Sequence, residues 1–315
     1  MGTAAGGEHR TMETPVRVYV GSQEAQMLPV KVLEFSIRAH TDLPVEIFPL
    51  HHAHVEFPLP QDPRNRPRTP FSFQRFYIPE LAGNRGRAIY LDSDMQVFRD
   101  IRELWGMPFD GADLLSASEP GETGRRPQFS VMLLNCDALR WDLQEIVRAL
   151  DAGELTYETL MYEMRVARSV RASIDPVWNS LEHFEEGRTG LLHYTDMTRQ
   201  PWVSRDNPLG YLWVRDLLRA LERGFIGRAL VERHVSEGHL RPSLLYQVDH
   251  RIEDTRALPA EAVRLDARFV PPYKLMGAHG GVAPGGLLQR TRGLLRRLYE
   301  RSPFSRAGRL QRAKP

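Results

Sequence analysis

The chain holds a single cysteine, Cys136, which excludes an internal disulfide framework and any multi-cysteine metal site. It has no run of about 18 uncharged apolar residues, the length a membrane-spanning helix needs. The opening "MGTAAGGEHRTMETP" lacks the apolar core of a secretory signal, so residues 1–14 read as a disordered leader. No internal repeat is present. With 42% hydrophobic and 26% charged residues among 315, the composition excludes disordered and fibrous classes. The length suits one large domain or two ordinary ones. A cytoplasmic location fits these features.

Charge is nearly balanced overall but unevenly placed. From Gly281 to Pro315 there are nine basic residues and one acid, Glu300, a net +8; with +2 for the whole chain, −6 remains on the other 280 residues. The body, 15–280, is therefore mildly acidic, and 281–315 is a basic arm. Leu287, Leu294 and Leu298 share one face of that arm with arginines around the rest. Such a segment can lie on the inner face of an anionic membrane as a peripheral contact. A solvated tail is the equal alternative, and nucleic acid is the weakest partner.

Hydrophobic patterning places the elements. "VRVYVGS" (Val16 to Ser22) reads as a first strand ending at glycine. Pro29 suits the first turn of a helix, and Val30, Leu33 and Ile37 lie on one face. "LPVEIFPL" (Leu43 to Leu50) is a second strand, so the order argues for a parallel sheet covered by helices. "HHAHVEFPLPQDPRNRPRTP" is a loop, and "FSFQRFYIPELAG" a short helix before the next strand. "ADLLSAS", "SVMLLNCDAL" and "GLLHYTD" are further apolar runs. "WDLQEIVRALDAG" is a helix stopped at Gly153, and Asn207 to Gly224 is an amphipathic helix with Leu209, Leu212, Leu217 and Leu221 inward.

The chemistry concentrates in "AIYLDSDMQVF" (Ala88 to Phe98). Asp92 and Asp94 end an apolar strand, where buried carboxylates are costly unless neutralised. Alternate residues of an extended chain share a side, so both can face one cation. Oxygen ligands with spare positions suit Mg²⁺ or Mn²⁺ carrying phosphate. A polar turn between strands is the plain alternative. An aspartyl-phosphate enzyme would place Thr or Val where Gln96 stands. A calcium loop starting at Asp92 would need glycine where Val97 stands. His51 and His54 of "HHAH" have no evident carboxylate partner and read as loop, and Cys136 reads as inert core.

"RAIYLDSDMQVFRDIRELW" resembles the Asp-x-Asp segment of the family 8 glycosyltransferases, which include bacterial lipopolysaccharide galactosyltransferases and glycogenin. "LLHYTDMTRQPW" (Leu191 to Trp202) resembles that family's second signature, a histidine followed by a basic residue and Pro-Trp. The resemblance spans about Val16 to Trp202. It implies an α/β fold of the GT-A nucleotide-diphospho-sugar transferase type, with a mostly parallel central sheet flanked by helices. It also implies Asp92, Asp94 and His193 as ligands of Mn²⁺ (or Mg²⁺). Arg199 lies where the family places a lysine that contacts the donor pyrophosphate, and Arg75 matches a family arginine that contacts donor phosphate or sugar, with an ordinary surface arginine as its plain alternative. Gly21 and Ser22 match the nucleotide seat, and Ser93 should meet the ribose. Trp202 is equally a packing residue.

The implied activity is metal-dependent, retaining transfer of a hexose from a UDP-sugar to a saccharide or lipid-linked acceptor. A glycogenin-like self-glycosylating primer, with Tyr299 as its acceptor, and a non-catalytic nucleotide-sugar-binding module remain the alternatives. Several residues depart from the family pattern. "QFS" replaces an Asn-Ala-Gly stretch, leaving Gln128 as a catalytic candidate in place of the asparagine. Tyr157 and Glu158 stand where an Asp-Gln pair is expected near the reacting carbon. Asp196 replaces a glycine beside the pyrophosphate. Asn179, in "DPVWNSLEHFEEG", is a second candidate to reach the sugar, with a core or turn role as the equal alternative.

Overall fold

The computed structural model describes residues 14–69, 71–118 and 127–275. The expectations for the leader and for the basic arm, including Tyr299, fall on residues outside these. Among the described residues no helix is long and apolar enough to cross a membrane.

The first strand, β1 (Val16–Gly21), leads through a short 3-10 turn into α1 (Met27–Ala39) and returns as β2 (Val45–Pro49), parallel to β1. After a long loop come α2 (Ile78–Leu81) and β3 (Arg87–Asp92), which pairs with the other side of β1, again parallel. The chain then forms β4 (Met95–Val97), α3 (Arg102–Trp105), β5 (Leu114–Ala117) and β6 (Val131–Asn135). Next come α4 (Leu143–Asp151), α5 (Tyr157–Met161) and β7 (Val170–Ile174). The main sheet has the order β2-β1-β3-β6-β5-β7, and only β6 runs against the rest. This is the mostly parallel, helix-flanked α/β arrangement expected from the sequence.

Alternation along the strands divides the core. Val16, Val18, Val20, Ile89 and Leu91 face α1 residues Val30, Leu33 and Ile37. Tyr19, Ala88, Tyr90, Met132 and Leu134 face the opposite way, onto Phe73, Phe76, α4 and α5. The other side of α1 is apolar too: Leu28, Val32 and Phe35 pack under α6 (Gly210–Glu222), α7 (Arg228–Ser236) and α8 (Ser243–His250). Helix α1 is thus sandwiched between sheet and helices, which explains why most of its residues are buried. A last short helix, α9 (Ala260–Leu265), packs on α8.

A second, three-stranded sheet was not evident in the sequence. It consists of β4, β9 (Leu191–His193) and β8 (Ser180–Leu181), in the order β4-β9-β8. Gln96, the residue that argues against an aspartyl-phosphate enzyme, anchors this sheet to α6. Its Nε2 donates to Asp216 Oδ2 at 2.6 Å and to the Leu212 carbonyl at 3.1 Å, while the Tyr194 hydroxyl donates to its Oε1 at 2.8 Å.

Candidate active site

Two strand registers create the site. Gly21 pairs with Asp92, so the first carboxylate lies at the common C-terminal edge of β1 and β3. Met95 pairs with His193, so Asp94, one residue before β4, lies against the end of β9. The chain thereby brings Asp92, Asp94 and His193 together across about a hundred residues. Each offers a ligand atom, and these atoms all lie within 4.8 Å of one another.

Asn179 sets the state of the imidazole. His193 is buried, and its Nδ1 lies 2.9 Å from Asn179 Oδ1. An amide oxygen only accepts, so Nδ1 carries the proton. In the neutral ring Nε2 then presents a lone pair, 3.2 Å from Asp94 Oδ1. Two acceptors facing each other so closely repel unless the ring is protonated or a cation lies between them. Two carboxylates and an imidazole are a donor set that fits Mn²⁺ or Mg²⁺, with Mn²⁺ the better match for the nitrogen. Asn179, expected as a candidate to reach the sugar, holds the ring through this bond.

Gln200 also enters the site. Its Nε2 donates to Asp94 Oδ2 at 2.9 Å and to the Tyr194 carbonyl at 3.0 Å. It stands between Arg199 and Pro201 in the sequence and carried no signal there. Arg199 sits one residue earlier on the exposed loop, and its Nη2 donates to the Asp206 carbonyl at 2.9 Å.

Around Asp92 the contacts are tight. The Tyr90 hydroxyl, two residues earlier on the same strand face, donates to Asp92 Oδ1 at 2.6 Å. Burial pushes the Tyr90 pKa well up, so this hydroxyl keeps its proton. Arg75 is buried, lies over the Tyr90 ring at 4.5 Å and reaches Asp92 Oδ1 with Nη2 at 3.8 Å. Its Nη1 donates to the backbone carbonyls of Gln128 (3.3 Å) and Phe129 (3.2 Å). Gln128 is thus linked to Asp92 through one guanidinium. A Cβ on Gly21 would collide with the Tyr90 hydroxyl and approach Phe71 to 3.1 Å. The glycine makes room for the tyrosine that holds Asp92.

Ser93 is buried between the two aspartates. Ser22 is 1% exposed; its hydroxyl donates to the Val20 carbonyl at 3.1 Å and lies 3.0 Å from His51 Nδ1. The loop expectation for His51 and His54 needs correcting. His51 and His52 meet Glu24, a carboxylate supplied by the turn before α1, while His54 is the left-handed residue that ends the 3-10 turn.

Asp196 turns into its own loop. Its Oδ1 accepts from Thr198 Oγ1 at 2.6 Å and from Thr198 N at 2.9 Å, and these bonds hold its pKa down. Trp202 is buried against Tyr194 and Trp213, which makes it core. Tyr157 is buried too, beneath the Arg68 guanidinium at 4.3 Å, while Arg68 also approaches Glu158 at 3.8 Å. Cys136 is buried with its thiol pushed up to about 11 by burial, in keeping with inert core.

Residues 27–140, which include Arg75 and both aspartates, match the family described as Glycosyl transferase family 8. Probable galacturonosyltransferase-like 9 of Arabidopsis thaliana is 27% identical, over 46% of this chain and 48% of its own length. Protein CDI of the same plant is 32% identical over 29% of this chain and 36% of its own. The chain thus spans about half the length, or less, of these curated relatives. A solved structure of the glycosyltransferase GlyE of Streptococcus pneumoniae TIGR4 aligns with a TM-score of 0.46 at 17% identity, covering 67% of this chain and 64% of that one. Residues 27–140, the segment that carries Asp92 and Asp94, are thus similar to glycosyltransferase family 8.

Proposed function

We propose that the protein is a metal-dependent glycosyltransferase that moves a hexose, with retention at the anomeric carbon, from a UDP-sugar to a saccharide or lipid-linked acceptor. The observation that carries this reading is the meeting of Asp92, Asp94 and His193 at the C-terminal edge of the parallel strands. Open α/β sheets bind their ligands at that edge.

The two carboxylates and His193 Nε2 would hold Mn²⁺ or Mg²⁺, which when bound supplies a Lewis acid for the departing diphosphate. Tyr90 and Gln200 each hold one carboxylate oxygen, and Asn179 holds the imidazole, so the donor atoms are fixed before substrate arrives. Such pre-organisation avoids reorganisation when charge develops. Arg75, on Asp92, is placed to turn toward donor phosphate or sugar once a cation takes over that carboxylate. Arg199, on an exposed loop, is free of any acidic partner close enough to pair among the described contacts, and its swing toward pyrophosphate would give a charge-assisted contact. Gly21, Ser22 and Ser93 line the strand ends where nucleoside would rest, offering backbone rather than hydroxyls already engaged in the case of Ser22. Gln128 is the candidate nearest Arg75 for contact with the sugar.

The names of the plant relatives add a uronic acid to the candidate donor sugars. A panel of UDP-, GDP- and ADP-hexoses with UDP-galacturonate, each with Mn²⁺, tests the reading by nucleotide release. Release from at least one UDP-sugar, abolished by chelator, is the expected outcome. UDP binding with no release from any donor would leave only a binding module.

A further inference from the structure

Across the sheet edge from His193, His51 repeats its arrangement. The Ser22 hydroxyl donates its one proton to the Val20 carbonyl at 3.1 Å. Its 3.0 Å contact with His51 Nδ1 therefore has the ring nitrogen as donor. The proton is thereby fixed on Nδ1, and Nε2 of the neutral ring presents a lone pair. That nitrogen is buried with no hydrogen-bond partner and points at Glu24 Oε2, 3.6 Å away. His52 completes the group, its ring edge-on to His51 at 4.2 Å between centroids, and the three residues bring ligand atoms within 4.8 Å of one another. Arg233 approaches the other Glu24 oxygen, Oε1, at 3.8 Å, which leaves Oε2 turned toward the histidines.

We propose that Glu24, His51 and His52 form a second cation site, selective for a borderline divalent ion such as Zn²⁺. Two imidazoles and one carboxylate suit Zn²⁺ with a fourth position left for water. A tetrahedral ion with bonds of about 2.0–2.2 Å sets its donors roughly 3.3–3.6 Å apart, so the His51–Glu24 spacing already matches. Ser22 supplies the outer hydrogen bond that ligating histidines usually make. Because Glu24 precedes α1 and the histidines follow β2, the ion clamps the two loops that flank Gly21. The carboxylate-rich centre at Asp92 and the imidazole-rich one at His51 thus differ in the ions they prefer.

The inference does not rest on the glycosyltransferase reading, and its test uses the metal alone. The full chain, stripped with chelator, is titrated with Zn²⁺ by calorimetry. His52→Ala and Glu24→Gln, both at exposed side chains, are each expected to weaken one equivalent by about 100-fold, and Ser22→Ala to weaken the same equivalent about 10-fold. The losses should persist in an Asp94→Asn background, which separates this site from the other centre. Thermal melts of the stripped proteins check folding. Zn²⁺ affinity and stoichiometry within threefold of the parent in both His52→Ala and Glu24→Gln would overturn the proposal.

Discussion

Asn179 acts on the site through one hydrogen bond, and that bond decides which nitrogen of His193 can ligate. Removing such an outer partner typically costs 10–100-fold in metal affinity. Asn179→Ala should therefore lower Mn²⁺ affinity by about that factor, measured by calorimetry, with an unchanged far-UV spectrum. Asn179→Asp, which still accepts from Nδ1, should recover most of the loss. Equal weakening in both variants would mean that Asn179 acts through packing. At this scale the aspartates and His193 were legible because each lies in a local pattern with a family counterpart. Gln200 gave no signal because its role is a tertiary contact with Asp94. The orienting role of Asn179 and the partnership of Glu24 with His51 arise from tertiary contact, and no spacing encodes them.

Elements hold these side chains through a few buried polar links. Arg241, just before α8, is almost fully buried; its backbone N donates to the Trp202 carbonyl at 2.8 Å and its Nε to the Pro201 carbonyl at 3.0 Å. Its Nη1 donates to Ser243 Oγ at 2.6 Å, and Nη2 binds Gln247 Oε1. Burial lowers its pKa to about 10, still far above neutrality, so it remains a cation. It ties the Pro201–Trp202 turn, and with it Gln200, to the C-terminal helices. Arg241→Met leaves several buried acceptors without a donor and should cost about 3 kcal/mol. At about 2.1 cal/mol/K of unfolding entropy per residue, that corresponds to a fall of roughly 4–6 °C in Tm for a chain of this size. A fall under 2 °C, measured by calorimetric scan, would contradict this role.

The strands with strong apolar runs, β1, β2, β3, β5 and β6, were legible, as were α1, α4 and α6. Strand β7 was not, because "VRASI" is short and mostly exposed at the sheet edge. The sheet of β4, β8 and β9 was missed because two- and three-residue strands carry too little periodicity to read.

The whole molecule places one helix, α1, between a mostly parallel sheet and a helical cap, and its two sheets bring the site's side chains to one edge. The main sheet brings Asp92; the small sheet, anchored to α6 through Gln96, brings Asp94 and His193. Fold class was legible because strand–helix–strand order fixes a parallel sheet, whereas the convergence of the two sheets depends on registers between distant segments. On the proposed function, this convergence makes a metal centre that holds a nucleotide diphosphate. Calorimetric titration of UDP into the full chain with Mn²⁺ tests it most directly, comparing the parent with Asp94→Ala and His193→Ala. UDP binding should need Mn²⁺ in the parent and fall by about 100-fold or more, roughly 3 kcal/mol, in each variant. UDP affinity unchanged in both variants would contradict it.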